Sequence, residues 1–186
     1  AAVAVAVAGR PVAVDVGRVN ERCFINVSTG GFGAEATEEA PAQAKRLLGP
    51  WAYVLSGARR FLEMRPVEAR VVADGRAWYE GELLLFAVGN ARQTGGGIPV
   101  TPRAELGDGA LDVLVVPALP RLEFLALLPD LRAGTHLSRP DVLYRRARAL
   151  VVETHEPVAV NADGEPMRGR RFRYGVLDRP LSVMVP

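Results

Sequence analysis

The stretch ELLLFAVGN, residues 82–90, constrains the fold more than any other part of this sequence. It is apolar at every position from Leu83 to Val88, whereas a strand with one solvated face alternates apolar and polar residues. Such a run is typical of a strand that is covered on both faces. The rest of the chain must therefore supply structure on both sides of this strand.

The segments around this run are mostly further short strands. Alternating valines on either side of a Gly-Arg-Pro turn at residues 9–11 predict a hairpin, and RCFINVS predicts a third strand. Asp74-Gly75 is a two-residue hairpin signal, and the segments after residue 110 hold several more strand patterns and one helix, RLEFLALLPDL. Between them, residues 38–64 have a helical period, with Pro41 suited to a first turn.

About ten short strands with one helical excursion predict a mainly β (α+β) fold, namely a β-sandwich with a helical insertion. The chain has 186 residues, which suits a single domain over residues 1–186. No internal repeat or low-complexity linker suggests a boundary inside it.

Charge and cysteine content exclude several functions. A net charge of +2 is too small to predict binding of nucleic acid. The single Cys23 excludes an internal disulfide and a cysteine-based zinc site. No run reaches the ~18 apolar residues of a membrane span, and the opening AAVAVAVAG lacks the charged start of a signal peptide. The sequence therefore predicts a cytoplasmic location.

The stretch STGGFGAEA, residues 28–36, places Gly30 and Gly31 where something must approach the backbone closely. That partner can be a phosphate held by backbone N–H groups, a substrate, or another strand of the protein. The stretch matches neither the dinucleotide fingerprint nor the P-loop. A strand-to-helix corner is the favoured interpretation.

A second polar stretch follows the buried strand. Asn90, Arg92 and Gln93 lead into three glycines, and loops that leave rigid strands commonly carry function. Further along, Asp108 in ELGDGAL offers a carboxylate beside turn carbonyls, a combination that suits Mg²⁺ or Ca²⁺. An ordinary Asp-Gly turn explains that spacing more simply.

A third stretch, VAVNADGEPM, ends a strand in Asp163-Gly164-Glu165. The pattern alone favours a hairpin turn with solvated acids. The alternative is a rigidly held carboxylate that accepts a proton from a hydroxyl group. His136 and His155 show no metal-ligand or triad spacing.

Taken in order, FINVSTGGFGAEATEEAP, VGNARQTGGGIPVTPRAELGDGALDV and VNADGEP resemble the C-terminal domain of bacterial lipid kinases of the YegS type. These belong to the diacylglycerol kinase superfamily, which includes sphingosine kinases and is related to NAD kinases. The resemblance covers essentially the whole chain and implies the C-terminal β-sandwich of the NAD kinase/diacylglycerol kinase-like fold. It also implies transfer of the γ-phosphate of ATP to a lipid hydroxyl, such as that of diacylglycerol or phosphatidylglycerol.

The resemblance also implies roles for individual residues. Glu165 and Asp163 are the expected catalytic pair, and the sequence does not decide which of them accepts the proton. A structural Mg²⁺ is expected on the Asp108 carboxylate and the backbone oxygens of Glu105 and Ala110. The residues expected to line the substrate or interdomain cleft are Asn90, Arg92, Gln93, Gly30 and Gly31.

In this family, ATP is bound mainly by an N-terminal domain with a Gly-Gly-Asp-Gly-Thr motif that this sequence lacks. Since the sequence also lacks an initiator Met, it is expected to be the second domain alone, inactive by itself. Its expected partners are a lipid substrate, its own N-terminal domain, the inner face of the membrane as a peripheral contact, and a second copy in a homodimer. Two other functions stay open: a non-catalytic lipid- or ligand-binding β-sandwich, and an NAD kinase-like domain. The sequence does not identify the lipid.

Overall fold

The computed structural model of the protein describes residues 8–31 and 65–185, and within these ranges the fold is mainly β, as predicted. One α-helix, α1 (Arg121–Ala133), and two short 3₁₀ helices, Gly95–Gly97 and His136–Ser138, accompany the strands there. The strands are β1 (Arg10–Val19), β2 (Arg22–Phe24), β3 (Val27–Gly31), β4 (Val67–Ala73), β5 (Arg76–Gly89), β6 (Leu111–Pro117), β7 (Leu143–Ala147), β8 (Ala149–Ala162) and β9 (Glu165–Val185). The helical excursion predicted for residues 38–64 lies outside the described residues.

The strands form one antiparallel network that closes on itself. Their order is β2-β1-β9-β8-β3-β5-β6-β7, and β4 pairs with both β5 and β8. The two 14-residue strands β5 and β8 each pair with β4 near one end and with β3 near the other. Strands β3, β5, β4 and β8 therefore form a closed ring. The larger hydrophobic core is built from residues of every strand except β3.

The prediction that ELLLFAVGN is covered on both faces is confirmed, because every residue from Leu83 to Asn90 is buried. Phe86 and Val88 belong to the larger core. Leu84 and Ala87 belong to a second core, in which they pack with residues of α1. The strand thus separates the two cores of the domain.

The predicted helix RLEFLALLPDL is confirmed as α1, which packs on the sheet through the buried side chains of Phe124, Leu127 and Leu131. It ends at Gly134, whose left-handed backbone (φ 74°) lets two N–H groups turn back to the carbonyls of Leu131 and Asp130. No helix among the residues described is long and apolar enough to cross a membrane.

Two Asp-Gly turns join long strands, as their sequence predicts. Asp74-Gly75 connects β4 to β5, and Asp163-Gly164 connects β8 to β9. Both residues of each turn have positive φ, which is the backbone that two-residue hairpins require.

Two details differ from the sequence prediction. RCFINVS is not one strand, since β2 ends at Phe24 and β3 begins at Val27. The predicted hairpin between β1 and the valines at residues 3–7 stays a prediction, because those valines lie outside the described residues. The described partners of β1 are β2 and the C-terminal strand β9.

Gly30 and Gly31 also differ, because they lie inside β3 and not in a loop. A Cβ on Gly30 would lie 2.2 Å from the Phe86 ring, and one on Gly31 would lie 2.7 Å from the Leu84 carbonyl oxygen. The sequence allowed a phosphate, a substrate or another strand as the partner of these glycines. In the structure, the neighbouring strand β5 approaches them.

Candidate functional site

Three segments of the chain meet at one edge of the sheet: the β2–β3 connection, the β8–β9 turn and the loop that follows β5. The backbone N–H groups of Asn90 and Ala91 both donate to the carbonyl of Asn26, each at 2.9 Å. The N–H of Asp163 donates to the carbonyl of Val27 at 3.3 Å. The Asp163-Gly164-Glu165 turn, called the DGE turn below, and the polar loop that follows β5 are therefore joined through residues 25–27.

The Asp163 carboxylate binds the backbone of the β2–β3 connection. It accepts the N–H groups of three consecutive residues: Ile25 at 2.5 Å, Asn26 at 3.0 and 3.1 Å, and Val27 at 3.1 Å. Consecutive N–H groups that converge in this way form an anion-binding concavity, and here the protein's own carboxylate fills it. Asp163 therefore has an evident structural role.

Glu165 has the opposite environment. Its side chain is 79% exposed, and its one ion-pair partner in the described structure is Arg22, at 3.8 Å. A contact of that length between two exposed side chains leaves both carboxylate oxygens accessible to a ligand. Of the two acids in the Asp163-Gly164-Glu165 turn, Glu165 is the more accessible.

Asn90 is fully buried and does not reach the surface of a cleft. Its amide nitrogen donates to the carbonyls of Asp15, at 2.8 Å, and Ile25, at 2.9 Å. Its Oδ1 has no hydrogen-bond partner within the described ranges. The contacts that the structure shows for Asn90 tie β1 to the β2–β3 connection.

Arg92 and Gln93 line a pocket of about 510 Å³, and their role in a substrate or interdomain cleft stays a prediction. The pocket lies beside the β2–β3 connection, and the Arg92 Nε donates to the carbonyl of Ala104 at 3.1 Å. Its remaining lining residues are Asn26, Ala91, Ala104, Glu105 and Leu106. Gly30 and Gly31 are not among them, since both are buried in β3.

The predicted metal turn is held together by the protein itself. Asp108 accepts the N–H of Ala110 on Oδ1 at 3.0 Å, and its Oδ2 lies 2.5 Å from Nη2 of Arg146. The same nitrogen donates to the Asp108 carbonyl at 3.3 Å. Gly109 donates to Asp15 Oδ2 at 2.7 Å, which attaches the turn to β1.

This arrangement does not fit a bound cation as it stands, because a guanidinium already contacts the one side-chain ligand. No three metal-ligating side chains come together among the residues described. The Mg²⁺ site on Asp108, Glu105 and Ala110 therefore stays a prediction.

A buried acid next to this turn was missed by the sequence reasoning. Asp112 lies in β6 and is almost fully buried. Burial raises the pKa of its carboxyl, and the nearby Asp108 and Glu105 raise that pKa further, against a hydrogen bond from Tyr144 that lowers it. The available signal was a single acid inside the apolar strand LDVLVV. Arg22, Asp15 and Arg146 gave no such signal, because each lies far in sequence from its partner.

Comparison with known proteins assigns this chain to a family. Residues 26–185 match the family described as the YegS C-terminal NAD kinase beta sandwich-like domain. A probable lipid kinase YegS-like protein of Pseudomonas aeruginosa is 39% identical over 175 residues, which cover 93% of this chain and 56% of that protein. The probable lipid kinase YegS of Escherichia coli is 31% identical over 186 residues, 100% of this chain and 60% of that protein.

Solved structures agree. The crystal structure of a putative diacylglycerol kinase from Bacillus anthracis superposes with a TM-score of 0.71 at 27% identity, covering 95% of this chain and 57% of that one. The chain thus spans somewhat more than half the length of the relatives it matches. It belongs to the family of YegS C-terminal domains, whose relatives carry the names of lipid kinases.

Proposed function

We propose that this chain is the lipid-acceptor half of an ATP-dependent lipid kinase, and that Glu165 accepts the proton of the lipid hydroxyl. The observation that carries the proposal is the different use of the two acids in the DGE turn. Asp163 is bound to three backbone N–H groups, whereas Glu165 is exposed at the same edge of the sheet. One acid holds the turn and the other is available for chemistry.

The reaction would proceed as a phosphoryl transfer. The hydroxyl oxygen of the lipid forms a bond to the γ-phosphorus, the bond from that phosphorus to the β-γ bridging oxygen breaks, and ADP leaves with the electron pair. The hydroxyl proton passes to the Glu165 carboxylate. Since phosphoryl transfer depends mainly on positioning and on electrostatic stabilisation, the fixed DGE turn supplies the first requirement.

Residues around the DGE turn supply part of the electrostatic stabilisation. Arg22 lies beside Glu165, and the exposed Arg92 lines the neighbouring pocket, so two guanidinium groups are available for phosphate oxygens. Asn90 acts by holding the loop in place from beneath. In the proposal, MgATP is a substrate bound mainly by the other half of the protein, because the chain spans only 56–60% of its curated relatives and lacks a nucleotide-binding motif of its own.

The lipid is proposed to be a glycerolipid with a free hydroxyl, such as diacylglycerol or phosphatidylglycerol. The names of the relatives support this class. The enzyme would act from the cytoplasm on the inner face of the membrane.

The test is Glu165→Gln in the full-length kinase, assayed by transfer of labelled phosphate from ATP to diacylglycerol or phosphatidylglycerol. Loss of a general base typically lowers kcat by about 10²–10⁴. The effect should appear in kcat with KM little changed, since the interaction is made chiefly in the transition state.

The chain offers a matched control. Glu80 is 77% exposed and lies 4.0 Å from Arg70, so it has nearly the same exposure and the same type of partner as Glu165. Glu80→Gln should leave kcat unchanged. If Glu165→Gln folds normally and keeps kcat within about threefold, a range typical of surface substitutions, the base assignment is wrong.

A further inference from the structure

Helix α1 has two apolar faces, and the sheet uses only one of them. Phe124, Leu127 and Leu131 are buried in the second core. On the outside, Leu122 is 80% exposed, Leu125 42% and Leu128 41%, at steps of three residues that keep them in one stripe. A helix that only covers a sheet needs a single apolar stripe, and the outer leucines add a second one.

The charges on α1 are sorted around this stripe. Arg121 precedes Leu125 by four residues, and Arg132 follows Leu128 by four, so each arginine lies on the leucine side of the helix. The acids Glu123 and Asp130, seven residues apart, share the flank that turns away from Leu125. Asp130 is further engaged by Arg139, at 3.4 Å. The outer face therefore combines exposed leucines with positive charge.

The C-terminal end of α1 contacts the loop that lines the candidate site. Gly134 packs against Pro99, so that a Cβ there would lie 3.0 Å from Pro99 Cγ. His136 follows and contacts the Val100 carbonyl at 3.1 Å, and the Thr101 N–H donates to the carbonyl of Arg92. A surface that binds α1 from outside is thus linked through this loop to the pocket.

From these features we infer that the outer face of α1 docks on the surface of an anionic lipid bilayer. The leucine stripe enters the boundary of the acyl chains, while Arg132 meets the lipid phosphates. A second copy of the chain fits less well, because a helix of 13 residues is about 20 Å long and its stripe offers about 200 Å², against the ~800 Å² per partner of a stable interface. The inference rests on the proposed function, since a lipid acceptor explains why the domain binds a bilayer.

The test is flotation of the 186-residue chain with vesicles, in the absence of ATP. Vesicles of phosphatidylcholine alone are compared with vesicles that also contain phosphatidylglycerol. The wild-type chain should bind the second kind more tightly. Leu122→Ser should weaken binding by about tenfold, because the variant no longer buries a leucine side chain in the bilayer.

Arg132→Gln should weaken binding about fivefold on the anionic vesicles only, because each basic residue near such a surface contributes about that factor. Two controls lie elsewhere on the domain. Leu181→Ser removes a leucine that is 43% exposed, and Arg76→Gln removes an exposed arginine. Neither should change vesicle binding.

The inference is overturned if the wild-type chain does not float with anionic vesicles, or if Leu181→Ser weakens binding as much as Leu122→Ser. It is also overturned if Leu122→Ser converts a dimer to a monomer in light scattering without changing flotation, since the stripe would then be a contact between copies. Because the assay contains no ATP, a full-length protein without kinase activity would refute the proposed function and leave the docking surface intact.

Discussion

Replacing Asp163 by Asn separates structural from catalytic use of the DGE turn, because the structure contains a second turn of the same design. Asp74 has φ 49° and Asp163 has φ 48°, and each precedes a glycine. The Asp74 carboxylate accepts the N–H groups of Arg148 and Ala149 at 2.9 and 3.0 Å. Asp74→Asn is therefore the matched control, made in a turn that joins a different pair of strands.

The expected magnitude follows from the hydrogen bonds. Asp163 serves three N–H groups, and an amide keeps one acceptor oxygen but turns an NH₂ group towards the remaining donors. A hydrogen bond to a charged group contributes about 1.5–3 kcal/mol, and the exposure of this turn lets water replace part of it. A loss of about 2 kcal/mol is expected, which lowers the Tm of a domain of this size by about 4–8 °C. In Asp74→Asn the amide oxygen can still accept both N–H groups, because both bond to the same oxygen, Oδ1, so this variant should lose clearly less.

Thermal unfolding and urea titration of the 186-residue chain measure this effect directly. Glu165→Gln should stay within about 0.5 kcal/mol of wild type, as an exposed substitution does. In the full-length kinase at a temperature where every variant is folded, Asp163→Asn should keep much more of its kcat than Glu165→Gln. An Asp163→Asn variant with wild-type Tm and a kcat lowered a hundredfold would refute the division of roles.

Two smaller predictions concern buried residues. Asp112→Asn should raise Tm at neutral pH. Because the pKa of Asp112 is raised above its ordinary 3.8, the wild-type native state loses stability as pH rises through that raised value, and the Tm advantage of the variant should vanish as pH falls below 3.8. Gly30→Ala should lower the stability of the domain by about 1–3 kcal/mol, since its Cβ would overlap the buried Phe86 ring; a variant with unchanged Tm but weaker lipid binding would instead support a substrate role for Gly30.

The parts of the fold that could be predicted are those fixed by local patterns. Leu83 to Val88 form a strand covered on both faces because no position of that run tolerates water, and the two Asp-Gly pairs form turns because their backbone needs positive φ. The break of RCFINVS at residues 25 and 26 could not be predicted in this way. It depends on the Asp163 carboxylate, which lies 136–138 residues further along the chain.

The same distinction holds for the site. Arg92 and Gln93 follow a strand directly, so their place in a pocket could be expected from the sequence. The roles of Gly30 and Asn90 could not, because a glycine that admits a ligand and a glycine that admits Phe86 look identical in one sequence. Asn90 follows the same buried strand as Arg92, and only the partners of its amide show that it points inward.

The role of Arg146 decides how the turn at residues 105–110 is stabilised. Its guanidinium lies 2.5 Å from Asp108 Oδ2 and also donates to the Asp108 carbonyl, so it supplies the positive charge that a cation would bring to these oxygens. We therefore expect the Tm of the wild-type chain to be the same in MgCl₂ and in EDTA. Arg146→Met should lower Tm in EDTA, and MgCl₂ should restore part of the loss because Asp108 and the nearby carbonyls then offer hard oxygen ligands to the ion.

Arg145→Met is the control on the same strand. Arg145 is next to Arg146 on β7, so its side chain points to the opposite face of the strand, where it stacks over Trp78 at 5.6 Å. Its loss can lower Tm but should create no response to Mg²⁺. Stabilisation of the wild-type chain by MgCl₂ would show that the ion displaces Arg146 and would support the metal site expected from the sequence. An Arg146→Met variant that ignores MgCl₂ would show that the turn has no affinity for the ion in either form, and that its geometry depends on the hydrogen bonds of Asp108 and Asp15 alone.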